Sequence, residues 1–160
     1  MLTVTDVSKT FFPGTVNERR ALHGLSLTMA EGDFVTVIGS NGAGKSTLLN
    51  AVSGRLIADG GSIQIDGKDV TRLPDHKRAK YVGRVFQDPL AGTAPTLTIE
   101  ENLSLAVLRG RRRGLGPSLN KKRRAQFADQ LAMLELGLED RLTAKVGLLS
   151  GGQRQALSLL

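Results

Sequence analysis

The nine residues from Gly39 to Thr47, GSNGAGKST, decide how this chain folds. They directly follow the apolar run Phe34–Ile38, and such near-continuous hydrophobicity is typical of a strand covered on both faces. After them, Leu48, Leu49 and Val52 recur at helical spacing. The sequence therefore predicts a buried strand, a glycine-rich turn and a helix, in that order.

The turn matches the phosphate-loop pattern GxxxxGK[ST] at every fixed position, between a predicted strand and a predicted helix. Glycines let the backbone N–H groups point into a concave loop, and the N-terminus of the helix adds partial positive charge. We expect Lys45 to lie against the β- and γ-phosphates of a nucleoside triphosphate, and Ser46 to ligate Mg²⁺. The expected nucleotide-binding residues here are Gly39, Ser40, Asn41, Gly42, Ala43, Gly44, Lys45, Ser46 and Thr47.

A second motif, LSGGQRQ, occupies residues 149–155. Ser150 is a good helix N-cap, the two following glycines allow close backbone approach, and apolar residues then recur at helical spacing. This pattern predicts a second helix N-terminus suited to an anion. The alternative for both motifs is structural: a flexible glycine turn beside a surface lysine, and a capped helix.

Composition is that of an ordinary globular protein, with 40% hydrophobic and 23% charged residues. The absence of cysteine excludes disulfides and cysteine-based metal sites. The net charge of +7 comes from one basic segment, 109–124, which carries eight arginines and lysines and no acid. That segment has three interpretations: a solvated surface, a contact with lipid headgroups or a membrane subunit, or a nucleic-acid contact.

Local patterns place further elements along the chain. Strands are predicted at Leu2–Val7, Leu25–Met29, Ser62–Ile65 and Tyr81–Phe86. The turn residues Asp59-Gly60-Gly61 and Asp66-Gly67 bracket the third strand and indicate a hairpin. Helices are predicted at Pro74–Lys80, from a capping box at Thr98 to about Arg109, and at Lys121–Leu136. The chain thus divides into a strand-rich part, residues 1–92, and a helical part, residues 93–160.

Together, the phosphate loop and the LSGGQ signature resemble those of the nucleotide-binding domain of an ABC (ATP-binding cassette) ATPase, most closely a bacterial transporter subunit. The resemblance implies an α/β fold: a P-loop NTPase core with an antiparallel β portion near the N-terminus, and a helical subdomain carrying the signature. It implies ATP and Mg²⁺ as cofactors. It also implies a head-to-tail dimer, in which Ser150, Gly151, Gly152 and Gln153 complete the ATP site of the second copy.

The resemblance assigns two further residues. Gln87 corresponds to the glutamine that contacts Mg²⁺ and the attacking water, although a solvated loop glutamine is the alternative interpretation. With Lys45, it forms the expected catalytic set. Phe11 corresponds to the aromatic residue that stacks on adenine, and the adjacent Phe12 is the alternative.

The resemblance implies ATP hydrolysis coupled to solute transport, and it favours an importer of small solutes such as amino acids. The expected partners are transmembrane transporter subunits and a solute-binding protein, with no nucleic acid, and the expected location is cytoplasmic, at the inner face of the cell membrane. One alternative is an ABC ATPase acting on nucleic acid or ribosomes. Another is a small kinase or GTPase, but 120-NKKR-123 fails the guanine-reading pattern NKxD at its last position.

Hydrolysis in this family also needs an apolar strand ending in Asp-Glu and a later switch histidine, neither of which occurs by Leu160. His23 and His76 both precede the signature, so neither matches that histidine. We therefore expect the sequence to be truncated, and the missing catalytic groups to lie beyond residue 160.

The first prediction concerns turnover. Because the glutamate that would activate water is missing, the 160-residue chain should hydrolyse ATP poorly. Steady-state release of phosphate measures this directly. Robust turnover by the 160-residue chain would refute the expectation.

Overall fold

A computed structural model of the chain describes residues 1–109, 116 and 118–160. These form two compact units, Met1–Gly83 and Arg84–Leu160. The first unit contains, in chain order, β1 (Leu2–Phe11), β2 (Arg19–Met29), α1 (Lys45–Ser53), β3 (Gly60–Ile65), β4 (Lys68–Asp69) and α2 (Asp75–Arg78). The second contains α3 (Ile99–Val107), α4 (Lys121–Ala132) and α5 (Gly151–Leu157), with short 3₁₀ turns at Pro89–Gly92, Glu139–Arg141 and Val146–Leu148.

The four strands of the first unit form one antiparallel sheet in the order β2-β1-β3-β4. On the central strand β1, Val4 lies opposite Leu27 on one side and Ile63 on the other. Val4 and Val7 are both buried, although plain alternation would place residues three apart on opposite faces. A register shift between them, with Asp6 at a φ of 49°, returns Val7 to the core face.

The predicted hairpin is present between β3 and β4. Its two turn residues, Asp66 and Gly67, have φ values of 49° and 72°. Positive φ at both central positions is the requirement of the type I′ turn, whose twist matches that of paired strands. The antiparallel β portion expected from the sequence is therefore confirmed.

Each unit has its own hydrophobic core. In the first, α1 buries Leu48 and Ala51 among the inward residues of the sheet; the buried set is Val4, Val7, Leu22, Leu48, Ala51, Ile63, Ile65 and Val70. In the second, helices and 3₁₀ turns enclose Ile99, Leu103, Phe127, Leu131, Leu138, Val146, Leu149 and Leu157.

Two predicted strands are wrong for this structure. Phe34–Ile38 has no strand pairing, and Phe34 and Ile38 are 94% and 89% exposed. Tyr81–Phe86 is likewise irregular. A strand requires a neighbour that accepts and donates its backbone hydrogen bonds, and the described sheet ends at β2 and β4 without reaching either segment. The apolar composition of Phe34–Ile38 indicated a preference for burial, but composition alone does not determine whether a neighbouring strand is available for pairing.

The helical predictions agree better with the structure, because their signals are local. Thr98 Oγ1 accepts from the Glu101 backbone N–H, and the Glu101 carboxylate accepts from Thr98 N at 2.7 Å. These bonds hold the pKa of Glu101 below its usual range. Helix α4 begins at Lys121 as predicted, behind an Asn120 cap, but ends at Ala132 rather than Leu136.

The basic segment contributes to the packing of the second unit. Arg124 on α4 forms a bidentate ion pair with the buried Glu100 on α3, at 2.6 and 3.0 Å. Arg111, Arg112 and Arg113 lie outside the described residues. No helix in the described part of the chain is long and apolar enough to cross a membrane.

Helix α1 begins at a glycine that no other residue could replace without strain. Gly44 is its N-cap, with a φ of 89°. A Cβ at this position would overlap the backbone carbonyl oxygen of Ala21 on β2. The start of the helix is thus packed directly against the backbone of β2.

The same helix ends against a buried arginine. The Arg78 side chain is fully buried and donates from Nη1 to the carbonyls of Ala51 and Val52, at 2.5 and 3.0 Å. Its other nitrogens donate to Thr71 O at 2.7 Å and Leu73 O at 2.8 Å. Burial lowers the pKa of Arg78 from its ordinary value, yet a guanidinium stays charged in proteins. The cation therefore satisfies the negative C-terminal end of α1.

Gly44→Ala should destabilise the protein more than Gly32→Ala. Both residues have positive φ, 89° and 85°, so alanine costs each about 1–2 kcal/mol of backbone strain. A Cβ at residue 32 meets no atom within 4 Å, whereas one at residue 44 overlaps β2. We expect the free energy of unfolding, measured in urea, to fall by about 1–3 kcal/mol more in Gly44→Ala than in Gly32→Ala. Equal losses would contradict the close contact.

Arg78→Met should strongly lower the free energy of unfolding, by about 3–5 kcal/mol, because four backbone carbonyls would lose the guanidinium as a donor. Arg72→Met is the matched control, since Arg72 is exposed and its replacement should change stability by no more than about 0.5 kcal/mol. Urea unfolding of both variants measures the difference. Similar small losses would show that the guanidinium does not stabilise the end of α1.

Candidate nucleotide-binding site

The loop between residues 39 and 44 has the backbone shape expected of an anion cradle. Gly42 and Gly44 both have positive φ, 88° and 89°, which turns the chain sharply into α1. Within the loop, Ala43 N donates to Ser40 O at 3.2 Å, and the first helical bond runs from Leu48 N to Gly44 O at 2.9 Å. The N–H groups of the first turn therefore lie at the mouth of the loop.

Lys45 lies across the loop that precedes it. Its ammonium donates to the carbonyls of Gly39 and Ser40, at 2.6 and 2.8 Å. An ammonium has three donors, so these bonds leave one N–H for an incoming anion. The structure thus places the predicted lysine where its charge meets the N-terminus of α1.

The surroundings of the loop are compatible with phosphate. The first turn of α1 carries no acidic side chain, and Ser46 there is exposed. Positive-φ glycines, free first-turn N–H groups and a lysine together suit a multiply charged anion. Among the described residues, no cluster of three or more acidic or histidine side chains could hold a metal ion by itself. Mg²⁺ bound through one hydroxyl and phosphate oxygens needs no such cluster.

Arg19, at the start of β2, also contacts the loop, although no motif in the sequence predicted this contact. Its Nη2 donates to the Gly42 carbonyl at 2.6 Å. Any side chain at residue 42 would meet this guanidinium at 2.7 Å. Arg19 precedes the predicted strand Leu25–Met29, and a basic residue in a predicted loop does not specify a contact with another loop over twenty residues later.

The two candidate aromatic residues differ in their surroundings. Phe11 is half-buried at the end of β1, where it pairs with Arg19. Phe12 follows outside the strand, with a φ of 52° and 66% exposure. The Phe11–Arg19 pair connects the end of β1 to the phosphate loop through the Arg19–Gly42 hydrogen bond.

Gln87 and the signature belong to the second unit, where the structure brings their segments together. Gln87 is exposed and precedes the 3₁₀ turn Pro89–Gly92. The Asp88 carboxylate begins that turn by accepting from Leu90 N at 2.9 Å. From α5, Gln155 Nε2 donates a long hydrogen bond of 3.5 Å to the Phe86 carbonyl. The Gln87 segment therefore lies beside the signature helix.

The signature begins α5 with a capping box. Ser150 Oγ accepts from Gln153 N at 3.2 Å, and Gln153 Oε1 accepts from Ser150 N at 3.1 Å. Gly151 and Gly152 are exposed, and a Cβ at either would meet no atom within 4 Å. Nothing in the described part of this chain therefore requires glycine at these two positions.

A family model described as ABC transporter matches residues 22–160. The tyrosine transport ATP-binding protein of Clostridioides difficile (strain R20291) is 44% identical over 161 residues, covering 100% of this chain and 63% of that protein. The methionine import ATP-binding protein MetN of Rhizobium johnstonii is 36% identical, covering 98% of this chain and 40% of that protein. This chain therefore spans less than two thirds of the length of these relatives.

Solved structures show the same relationship. A dimeric ATP-binding cassette in a post-hydrolysis state, bound to ADP and Pi, matches with a TM-score of 0.80 and 31% identity, over 99% of this chain and 67% of that one. A nucleotide-free ATP-binding cassette from an ABC transporter matches with a TM-score of 0.74 and 28% identity, over 99% and 62%. These matches confirm the α/β P-loop cassette fold. By the family match over residues 22–160, this chain belongs to the ABC transporter ATP-binding proteins.

Proposed function

We propose that this chain binds ATP with Mg²⁺ and forms the ATP-hydrolysing, nucleotide-binding part of an ABC transporter. The observation that carries the proposal is the loop at residues 39–47, where positive-φ glycines, the N-terminus of α1 and the Lys45 ammonium converge. Each of these features attracts phosphate, and all three lie at one end of α1.

We assign individual roles within the site. Residues Gly39 to Thr47 bind the triphosphate, with Lys45 neutralising charge on its terminal phosphates and Ser46 ligating Mg²⁺. Gln87 orients water and contacts the metal. Phe11 stacks on adenine, with exposed Phe12 as the alternative. Bound Mg²⁺ would supply charge neutralisation on the phosphates during transfer to water.

The signature residues act on the ATP of a second copy in this proposal. Ser150, Gly151, Gly152 and Gln153 begin α5, and the open space around both glycines leaves the backbone accessible to a partner. Glycine at both positions leaves room for the close approach of the second copy's nucleotide. The solved relative bound to ADP and Pi is described as dimeric, which supports a head-to-tail dimer here.

The transport role is proposed from the relatives. Their names specify tyrosine transport and methionine import, which supports an importer of small solutes such as amino acids. The implied partners are transmembrane subunits, which would hold this chain at the inner face of the cell membrane, and a solute-binding protein. We assign residues 1–92 to the ATP-binding core and 93–160 to the helical subdomain that carries the signature.

Lys45→Met should abolish most nucleotide affinity. It removes the ammonium beside the loop but keeps an apolar stem of similar length. Loss of a charge-assisted bond to phosphate should weaken Mg·ATP binding by about tenfold to a hundredfold. Isothermal titration with Mg·ATP measures the dissociation constant directly.

Lys77→Met is the matched control, because Lys77 is exposed on α2 of the same unit. It should bind Mg·ATP as the unaltered protein does. An unaltered protein that fails to bind Mg·ATP, or a Lys45→Met variant that binds normally, would overturn the proposed function.

A further inference from the structure

Arg19 provides a second positive charge at the phosphate loop. Its guanidinium donates through Nη2 to Gly42 O, in the middle of the loop, at 2.6 Å. A guanidinium has five N–H donors in a planar fork, and this one bond leaves others directed at the surroundings of the loop. The residue is exposed, so a ligand in the loop can reach it.

No acidic side chain in the described part of the chain forms an ion pair with this charge. Within residues 1–109, 116 and 118–160, the ion pairs involve Met1, Lys9, His76 and Arg124, and none includes Arg19. The neighbouring Glu18 carboxylate instead accepts from Gly14 N at 2.6 Å. An unpaired guanidinium beside a loop lined with N–H groups favours an anion there.

The position of Arg19 indicates which part of the nucleotide it meets. It pairs with Phe11, the candidate base-stacking residue, while its guanidinium reaches Gly42. Lys45 is the residue expected at the β- and γ-phosphates, and its ammonium donates to the carbonyls of Gly39 and Ser40 rather than to that of Gly42. Between a stacked base and the β-phosphate, a nucleotide has only its ribose and its α-phosphate.

We propose that Arg19 is an additional nucleotide-binding residue, whose guanidinium binds the α-phosphate of ATP or ADP while it holds the loop at Gly42. This inference rests on the proposed nucleotide-binding function and adds to it a contact shared by the di- and triphosphate. A bidentate guanidinium–phosphate contact is charge-assisted and geometrically specific. Arg19 therefore contributes to affinity for the nucleotide rather than to recognition of the γ-phosphate.

The test compares Arg19→Gln with Arg20→Gln by isothermal titration of Mg·ATP and Mg·ADP. Both variants remove one positive charge from adjacent positions of β2, but successive side chains of a strand point to opposite faces. Arg19→Gln should weaken the affinities for ATP and for ADP by the same factor, about tenfold or more. Arg20→Gln should leave both affinities within about twofold of the unaltered protein, through long-range charge alone.

Two further measurements separate binding from a structural role. Arg19→Lys keeps the charge but loses the planar fork, so it should recover part of the lost affinity. The melting temperature of the nucleotide-free protein should be similar for Arg19→Gln and Arg20→Gln, because the bond from Arg19 to Gly42 is exposed and positions the loop while adding little to global stability. A lower melting temperature for Arg19→Gln, with no recovery in Arg19→Lys, would show that Arg19 only stabilises the loop and would overturn the proposal.

The outcomes also distinguish this inference from the function on which it rests. If the unaltered protein binds neither ATP nor ADP, the nucleotide-binding function is wrong. A second outcome is that the unaltered protein binds both nucleotides and the Lys45→Met variant neither, while Arg19→Gln and Arg20→Gln bind them equally well. In that case the nucleotide-binding function stands and the proposed role of Arg19 is wrong. A loss confined to ATP would also overturn the α-phosphate contact, because ADP carries the same phosphate.

Discussion

The close contact between the backbone of β2 and Gly44 is the constraint on which the site depends. The Ala21 carbonyl occupies the space that a side chain at residue 44 would need, so the loop can turn into α1 only through a glycine with positive φ. That turn places the N-terminus of α1 and the Lys45 ammonium at the same point. Without the turn, these groups would be ordinary features of a helix and would not form a phosphate cradle.

Two arginines further restrain α1 and the loop that precedes it. Arg78 satisfies the carbonyls at the far end of α1, and Arg19 holds the loop at Gly42. Both donate to backbone carbonyls that lie far away in sequence. They differ in burial, since Arg78 is fully enclosed while Arg19 is open. Burial makes the first a structural residue, and exposure lets the second meet a ligand.

The second unit combines local helix caps with side-chain bonds between residues distant in sequence. Capping boxes begin α3 and α5, and the buried Glu100 pairs with Arg124 of the basic segment. The Gln155–Phe86 hydrogen bond joins the signature helix to the segment before Gln87. Movement of one of these segments would therefore change the contacts of the other.

The sequence by itself determined those structural features that depend on residues close together in the chain. Local patterns predicted the phosphate-loop motif, the capping box at Thr98, the Ser150 cap and the alternating parts of β1 and β2. Turns, caps and side-chain alternation involve residues only a few positions apart, whereas the outer parts of both strands, up to Phe11 and from Arg19, were not predicted. Only the tertiary structure decided whether Phe34–Ile38 pairs in a sheet and which carbonyls Arg19 and Arg78 reach. Strand pairing and a long side chain's hydrogen bonds are set by partners distant in sequence, which no local pattern specifies.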